Sequence, residues 1–343
     1  MSFASDNAAP IHPAILEAIA EANTGPAPSY GADPWTARVE ARFAEVFERR
    51  CAVFLLATGT GANALALGAL TPPWGAVFCH RHAHILLDEA GAPEFYTGGA
   101  RLLPLEGPSA KLTPAGLEEA AKSYSRAWVH GAQPFAVSIT QASESGTCYS
   151  ALEIAALSET ARRHGLTLHM DGARFANAVA FTGQSPAALT WQAGVDVLSF
   201  GATKNGAMAA EAIICFNDQA ALALPHLRKR AGHLLSKHRF IAAQMAGYLE
   251  GGLWLELARH ANAMARELGE VLRGAGRELL HPVEANEVFA RLRDGELEQL
   301  RARGIGCYPW SADGAGAARF VCSWATQPEE IAALSAFLKE GTA

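Results

Sequence analysis

Three short segments put reactive side chains directly after apolar runs, the positions at which open α/β sheets gather ligands. The run DVLSF is followed by Gly201-Ala202-Thr203-Lys204-Asn205-Gly206, and another apolar run begins near Glu211. A lysine between two core strands is poorly placed to be a solvated surface charge. Desolvation and a cationic neighbour would lower its pKa and make the amine nucleophilic enough to form an imine. The plainer alternative is a loop lysine with a packed stem and its head in water. The run LTLHM ends in Asp171-Gly172-Ala173-Arg174. A buried Asp there would hold a pyridinium nitrogen protonated, so that the ring accepts electrons from a substrate carbanion. An Asp-Arg ion pair capping the next helix is the rival reading.

The third segment follows AVFLLA and reads Thr58-Gly59-Thr60-Gly61-Ala62-Asn63, with an Ala/Leu-rich helix pattern after it. Free N–H groups at a helix start, reached closely across glycine, make a phosphate site. Gly59, Gly61 and Ala64 also satisfy G-x-G-x-x-A, the dinucleotide-binding turn. That reading needs a ribose-binding acid about 20 residues on, and residues 71–78 supply none. A tight strand-to-helix turn without a ligand is the remaining alternative. His80, His82 and His84 alternate, so on a strand they would share a face like metal ligands. No fourth ligand at suitable spacing accompanies them, and one histidine stacked on an aromatic cofactor is the better use.

The elements that must position these residues form an alternation of short β-rich runs and helical patterns from Ala52 onward. The runs AVFLLA, GAVFC, FAVSIT, LTLHM, DVLSF and EAIICF look buried on both faces, as strands of a mainly parallel sheet between helix layers should be. Ala151 to His164 reads as a helix, with Ser150 as N-cap, Glu153 three residues later and Gly165 as the stop. After about Asp218 the pattern turns to long helical stretches, then to two short strand-like runs near Val288 and Phe320. The division expected is an N-terminal arm over 1–30, a large domain over 31–248 and a small α+β domain over 249–343.

The chain has 343 residues, 50% hydrophobic and 18% charged, with a net charge of −6. That describes a globular protein with no electrostatic footprint for nucleic acid. Six cysteines without paired ligand spacing read as reduced, packed thiols. No basic segment followed by an apolar one opens the chain, so a cytoplasmic location is expected. Residues 51–79 carry no charge, yet the TGTGAN turn and Pro72-Pro73 divide them into pieces too short to span a membrane.

Taken in order, the segments SDN with His12-Pro13, YGADPWT, TGTGAN, AHILLDEAGAPEF, HMDGARF, SFGATKNG, PVEAN and ARFVCSW resemble the low-specificity L-threonine aldolases. That family has the fold type I, aspartate-aminotransferase-like α/β architecture, which implies a large domain with a mostly parallel seven-stranded sheet and a smaller C-terminal α+β domain. The resemblance covers nearly the whole chain and implies pyridoxal 5'-phosphate (PLP) as cofactor. It makes Lys204 the Schiff-base lysine, Asp171 the partner of the pyridine nitrogen and Arg174 a neighbour of the cofactor's 3-oxygen and of the substrate. His84 becomes the ring-stacking residue, while Thr58, Gly59 and Thr60 bind the phosphate. Ser5 and Arg319 form the substrate carboxylate clamp, a task that suits the bidentate guanidinium fork. Tyr30 and Glu144 are placed with the substrate-binding residues. Lys229 and Lys237 fall where the family presents basic residues from a neighbouring subunit of a homodimer or homotetramer.

Two positions depart from the family pattern. Glu144 stands in the loop after FAVSIT where many members carry a histidine, and Ala202 replaces one of two glycines before Thr203. The implied activity is reversible cleavage of L-threonine or a related β-hydroxy-α-amino acid to glycine and an aldehyde, with His84 as first candidate base and Glu144 as second. Another PLP reaction on the same scaffold, such as β-elimination or transamination, is the nearest rival. A PLP-binding regulator without catalysis and a nicotinamide oxidoreductase are more distant ones.

Overall fold

The computed structural model describes residues 1–124 and 129–340. The large sheet has seven strands: β1 (Ala52–Leu56), β2 (Gly75–His80), β3 (Arg101–Leu105), β4 (Gln133–Thr140), β5 (Thr167–Gly172), β6 (Val197–Gly201) and β7 (Glu211–Cys215). Their spatial order is β1-β7-β6-β5-β4-β2-β3. The five strands from β6 to β3 run parallel, and β7 is antiparallel to both of its neighbours. A smaller antiparallel sheet follows, ordered β10-β11-β9-β8 and built from β8 (Glu278–Leu279), β9 (Glu287–Arg291), β10 (Tyr308–Pro309) and β11 (Ala317–Val321).

The six apolar runs are six of the large sheet's strands, and β2, β6 and β7 are buried along their whole length. One expectation needs correction, and one strand lies outside the six runs. β1 is an edge strand whose first three residues are only half-buried, so it is not enclosed on both faces. β3 escapes the pattern altogether, because RLLPL is short and exposes Arg101 and Pro104. Proline cannot donate to a ladder, and an edge strand is where the loss is tolerated.

Helices cover the sheet for reasons visible in their ends. In Ala151–Arg163 the Ser150 hydroxyl accepts from the Glu153 N–H, and the Glu153 carboxylate accepts from the Ser150 N–H at 2.8 Å, closing a capping box. Gly165, at φ +69°, turns the chain out of the helix into β5. The helix Gly59–Leu70 is buried from Gly61 through Leu67, which accounts for the uncharged stretch. No helix among the described residues is long and apolar enough to cross a membrane.

The two largest hydrophobic clusters among the described residues lie one around the large sheet and one under the small sheet. The helix Leu253–Gly274 joins them, giving Trp254 and Ala258 to the first and Met264, Leu268 and Leu272 to the second. The N-terminal segment is tied to the second core by Phe3, which is buried there and accepts the Val321 N–H at 2.7 Å. Five of the six cysteines are buried, and all are unpaired.

Replacing Ser150 by Ala leaves the Glu153 N–H without its side-chain acceptor. Loss of the cap should lower stability by about 1 kcal/mol. A downward shift of the urea midpoint with turnover unchanged is the expected result.

Candidate active site

One cavity of about 630 Å³ opens where the large sheet's strand ends meet the N-terminal arm and the small sheet. Sheet register brings its floor together. Asp171 on β5 lies opposite Thr140 on β4 and Ser199 on β6, and all three line the cavity. Gly201 ends β6, and a Cβ there would come within 2.7 Å of the Ala173 carbonyl, so glycine is required for the close approach. The chain then turns through Thr203–Asn205 and is released by Gly206 at φ +111°. Lys204 therefore faces the cavity from a short turn anchored at both ends. Ala202 is fully buried in the main core, which accommodates its methyl group.

Asp171 is held by donors and by no arginine. Its Oδ2 accepts from Asn63 Nδ2 at 2.8 Å and its Oδ1 from the Ala173 N–H at 3.0 Å. The Asp171–Arg174 capping pair weighed from sequence is thus absent: Arg174 instead forms a two-pronged bond with Asp6, at 2.8 and 3.0 Å, and stands 3.4 Å from Glu287. Burial works against the Arg174 charge, but Asp6 and Glu287 outweigh it and hold the guanidinium protonated above its ordinary range. Beneath Asp171, His169 is enclosed between the hydroxyls of Ser138 and Ser199, at 2.9 and 3.0 Å. Burial depresses that ring to about 4, so it is neutral.

The three alternating histidines do not share a strand face. β2 ends at His80, and His84 opens the short helix His84–Leu87. His84 lines the cavity, its Nδ1 is 2.9 Å from Glu89 Oε1 and its N–H donates to Glu144 Oε1 at 3.1 Å. The bond to Glu89 raises the His84 pKa above its ordinary 6.5. Glu89 also accepts from Asn63, so a single amide ties Glu89 to Asp171. Burial and the nearby charge of Asp171 push Glu144 up to about 7.

Thr58, Gly59 and Thr60 line the opposite wall at the start of Gly59–Leu70, where first-turn N–H groups have no intrahelical acceptor. The Thr58 hydroxyl accepts from the Gly61 N–H at 3.1 Å and fixes the turn. Ser5 and Arg319 complete the cavity from the arm and from β11. Arg319 lies 5.0 Å above the Trp310 ring, and among the described residues its buried Nε has no hydrogen-bond partner. Tyr30, Lys229 and Lys237 are not brought into the cavity. Tyr30 is half-exposed, with the Lys229 ammonium 4.6 Å from its ring centre. Sequence reading did not single out Asn63, Glu89, Asp6, Glu211 or Glu287, which stand inside the quoted motifs or at strand starts. Their signal was only that polar side chains interrupt apolar or family-like runs.

A family model described as beta-eliminating lyase matches residues 2–294. The chain belongs to this family. It is 47% identical to the low specificity L-threonine aldolase of Pseudomonas aeruginosa, over 97% of this chain and 95% of that protein. A second such aldolase, from a Pseudomonas species, is 45% identical over 98% of this chain and 96% of its own length. Among solved structures, a Leishmania major threonine aldolase superposes with a TM-score of 0.92 at 30% identity, covering 100% of this chain and 99% of that one. An aspartate aminotransferase from Rhodobacter sphaeroides, at TM-score 0.74 and 18% identity over 99% of this chain and 91% of its own, shares the fold alone. The architecture is therefore that of the fold type I PLP enzymes, and the cofactor of the family is PLP.

The cavity of this family member fits that group by the chemistry of its donors. It offers a primary amine at Lys204, a buried carboxylate at Asp171 held by two N–H donors, and a helix start at Gly59 for a phosphate. The unfilled Nε of Arg319 leaves donor capacity for a carboxylate.

Replacing Glu89 by Gln removes the carboxylate whose charge-assisted bond raises His84, so the His84 titration should move down. A folded pKa above the unfolded value stabilises below the unfolded value and fades as pH rises through the folded one. Glu89 itself is raised, chiefly by burial, and changes stability in the same direction. The advantage of wild type over Glu89→Gln in thermal melts should therefore be larger on the acid side of the His84 titration than on the alkaline side. An equal difference at both ends would show that the pair is not titrating.

Proposed function

We propose that the chain cleaves L-threonine, L-allo-threonine and related β-hydroxy-α-amino acids such as phenylserine, reversibly, to glycine and an aldehyde. The observation that carries this reading is the gathering of Lys204, Asp171, His84, the Gly59 turn and Arg319 around one cavity, from segments spread across the chain. PLP, when bound, supplies the electron sink that lets negative charge develop at the substrate Cα.

The protein's own groups do the rest. Lys204, whose amine faces the cavity, would hold the cofactor covalently. Asp171, anchored by Asn63 and Ala173, keeps a proton on the ring nitrogen. Thr58, Gly59 and Thr60 would hold the phosphate, and His84 would supply a flat face to the ring. Arg319 and Ser5 orient the substrate carboxylate, which sets the Cα–Cβ bond in a fixed direction for cleavage. Arg174 is committed to Asp6 and would contribute a fixed positive charge beside the cofactor's 3-oxygen. The β-hydroxyl proton goes to His84 or a water it holds, with Glu144 as the second acceptor, and a proton returned to Cα completes glycine.

We further propose a division into an arm over 1–30, a cofactor domain over 31–248 and a small domain over 249–343. The enzyme is proposed to be cytoplasmic and to assemble as a homodimer or homotetramer. Lys229, Lys237 and Tyr30, which lie outside the cavity of their own subunit, would then serve a neighbouring site. Gel filtration at assay concentration checks this, a fully active monomer being the contrary result.

Borohydride reduction followed by peptide mapping should place the cofactor label on Lys204. Label on another lysine would remove the assignment. Glycine and aldehyde should appear from L-threonine, L-allo-threonine and phenylserine, and Asp171→Asn should retain PLP while losing most turnover. Replacing Arg319 by Lys keeps the charge but loses the bidentate fork. A charge-assisted bond contributes about 1.5–3 kcal/mol, so kcat/KM should fall roughly 10- to 150-fold. PLP content should not change, and kinetics within about threefold of wild type for Arg319→Ala would mean that the carboxylate is held elsewhere.

A further inference from the structure

We propose that Glu211 is a proton-carrying residue of the phosphate subsite: its carboxyl must be neutral for the cofactor's phosphate to bind, so binding takes up one proton from solvent at Glu211. This rests on the reading that PLP sits in the cavity with its phosphate at the Gly59 turn.

Glu211 is the first residue of β7, the strand that is antiparallel to both of its neighbours, and it pairs with Leu56 at the end of β1 and with Gly201 at the end of β6. The two chains that leave those strand ends carry the phosphate turn and Lys204. The side chain is only 7% exposed and lines the cavity. Its Oε1 lies 3.4 Å from the Thr203 N–H, and its Oε2 would be 3.9 Å from a Cβ placed on Gly59. A carboxyl oxygen thus points at the first residue of the helix whose N-terminus would receive a phosphate. A phosphate monoester carries nearly two negative charges at neutral pH, and a carboxylate this close with little water between would repel it. The neutral acid would instead donate a hydrogen bond.

The charged and titratable groups around it set the balance. Burial raises Glu211 to about 7, against the bond from Thr203 and the positive charge of Lys204, while Asp171 on β5 adds to the rise. Tyr248, from the helix Arg239–Leu249, is the other titratable neighbour, and burial keeps its hydroxyl protonated. His233 lies beyond the turn, its ring 2.5 Å from where a Gly61 Cβ would stand, and burial lowers its pKa, so it does not supply a fixed cation. Lys204, the charge opposite Glu211, is the group that the cofactor itself engages. A proton on Glu211 is therefore the means by which this wall becomes compatible with an anion.

The experiment is equilibrium dialysis of the full-length holoenzyme and of Glu211→Gln against graded free PLP, from about pH 6.5 to about pH 9, a range in which the phosphate is already mostly dianionic. Ring and amine titrations are common to both proteins and cancel in the comparison. The two proteins should bind alike at the acid end. Above about pH 7 the wild-type Kd should rise up to about tenfold more per pH unit than that of Glu211→Gln, the signature of one linked proton. Glu211→Ala, which needs no partner for its side chain, should show the same flattened slope and serves if the Gln variant folds poorly. Equal slopes in wild type and both variants would overturn the inference while leaving the PLP reading intact. Uniformly weaker binding by the variants at every pH would also overturn it, since Glu211 would then act as an anion toward Lys204. Absence of PLP binding by the wild type would overturn both.

Discussion

Three buried charges and the partly buried Arg319 hold the site together. Asp6 comes from the N-terminal arm, Arg174 from the turn between β5 and the helix Phe175–Thr182, Glu287 from the start of β9 and Arg319 from β11. The two carboxylates balance the two guanidiniums, and Asn286 adds a bond to Asp6 at 3.0 Å. Burial would raise the Asp6 carboxyl, but Arg174 and Lys204 draw it below its usual range. Taking such charges out of water is costly, and deleting one partner leaves the other uncompensated at about 3–5 kcal/mol. The cluster therefore specifies how the arm and the small sheet meet the large sheet, which a purely apolar contact would fix less sharply.

That constraint explains why the cavity exists. The large sheet supplies Asp171, Lys204 and the Gly59 turn on rigid strand ends, whereas Ser5 and Arg319 arrive from chain segments more than 300 residues apart, joined through the Phe3–Val321 backbone bond. Glu287 stands within reach of both arginines, at 3.4 Å from Arg174 and 3.7 Å from Arg319. Its oxygens have no hydrogen-bond donor among the described residues. A substrate carboxylate arriving at Arg319 would therefore meet a guanidinium whose nearest protein counter-charge is held at a distance, not in a closed pair.

A second network, running through Asn63, divides the labour among carboxylates. Asn63 donates to both Asp171 and Glu89, Glu89 bonds His84, and the His84 N–H bonds Glu144. Four acidic groups, Asp171, Glu89, Glu144 and Glu211, line the one cavity, yet they differ in environment. Asp171 has two N–H donors, while Glu89, Glu144 and Glu211 are raised chiefly by burial. Neighbouring acids whose environments separate their proton affinities can perform opposite proton tasks at one pH.

Local pattern marked the strands of the inner sheet, the capped helix after Ser150 and the turns that carry Lys204 and Asp171, whereas His84 and Arg319 were marked only by the order of the family-like segments. The reason is that apolar runs, caps and turn glycines act locally and leave a local pattern. β3 was not legible, because an edge strand with Arg101 and Pro104 exposed lacks both alternation and full burial. Only the tertiary structure decided the partners. Asp171 and Arg174 are three residues apart and looked like a pair, but strand register and the arm gave Asp171 to Asn63 and Arg174 to Asp6. Glu211 read as the polar start of an apolar strand until β7 was seen to lie between β1 and β6, with its first residue against Gly59 and Thr203. Side-chain charge is written in the sequence, but which charges face each other is set by topology, since long-range pairing leaves no mark on local spacing.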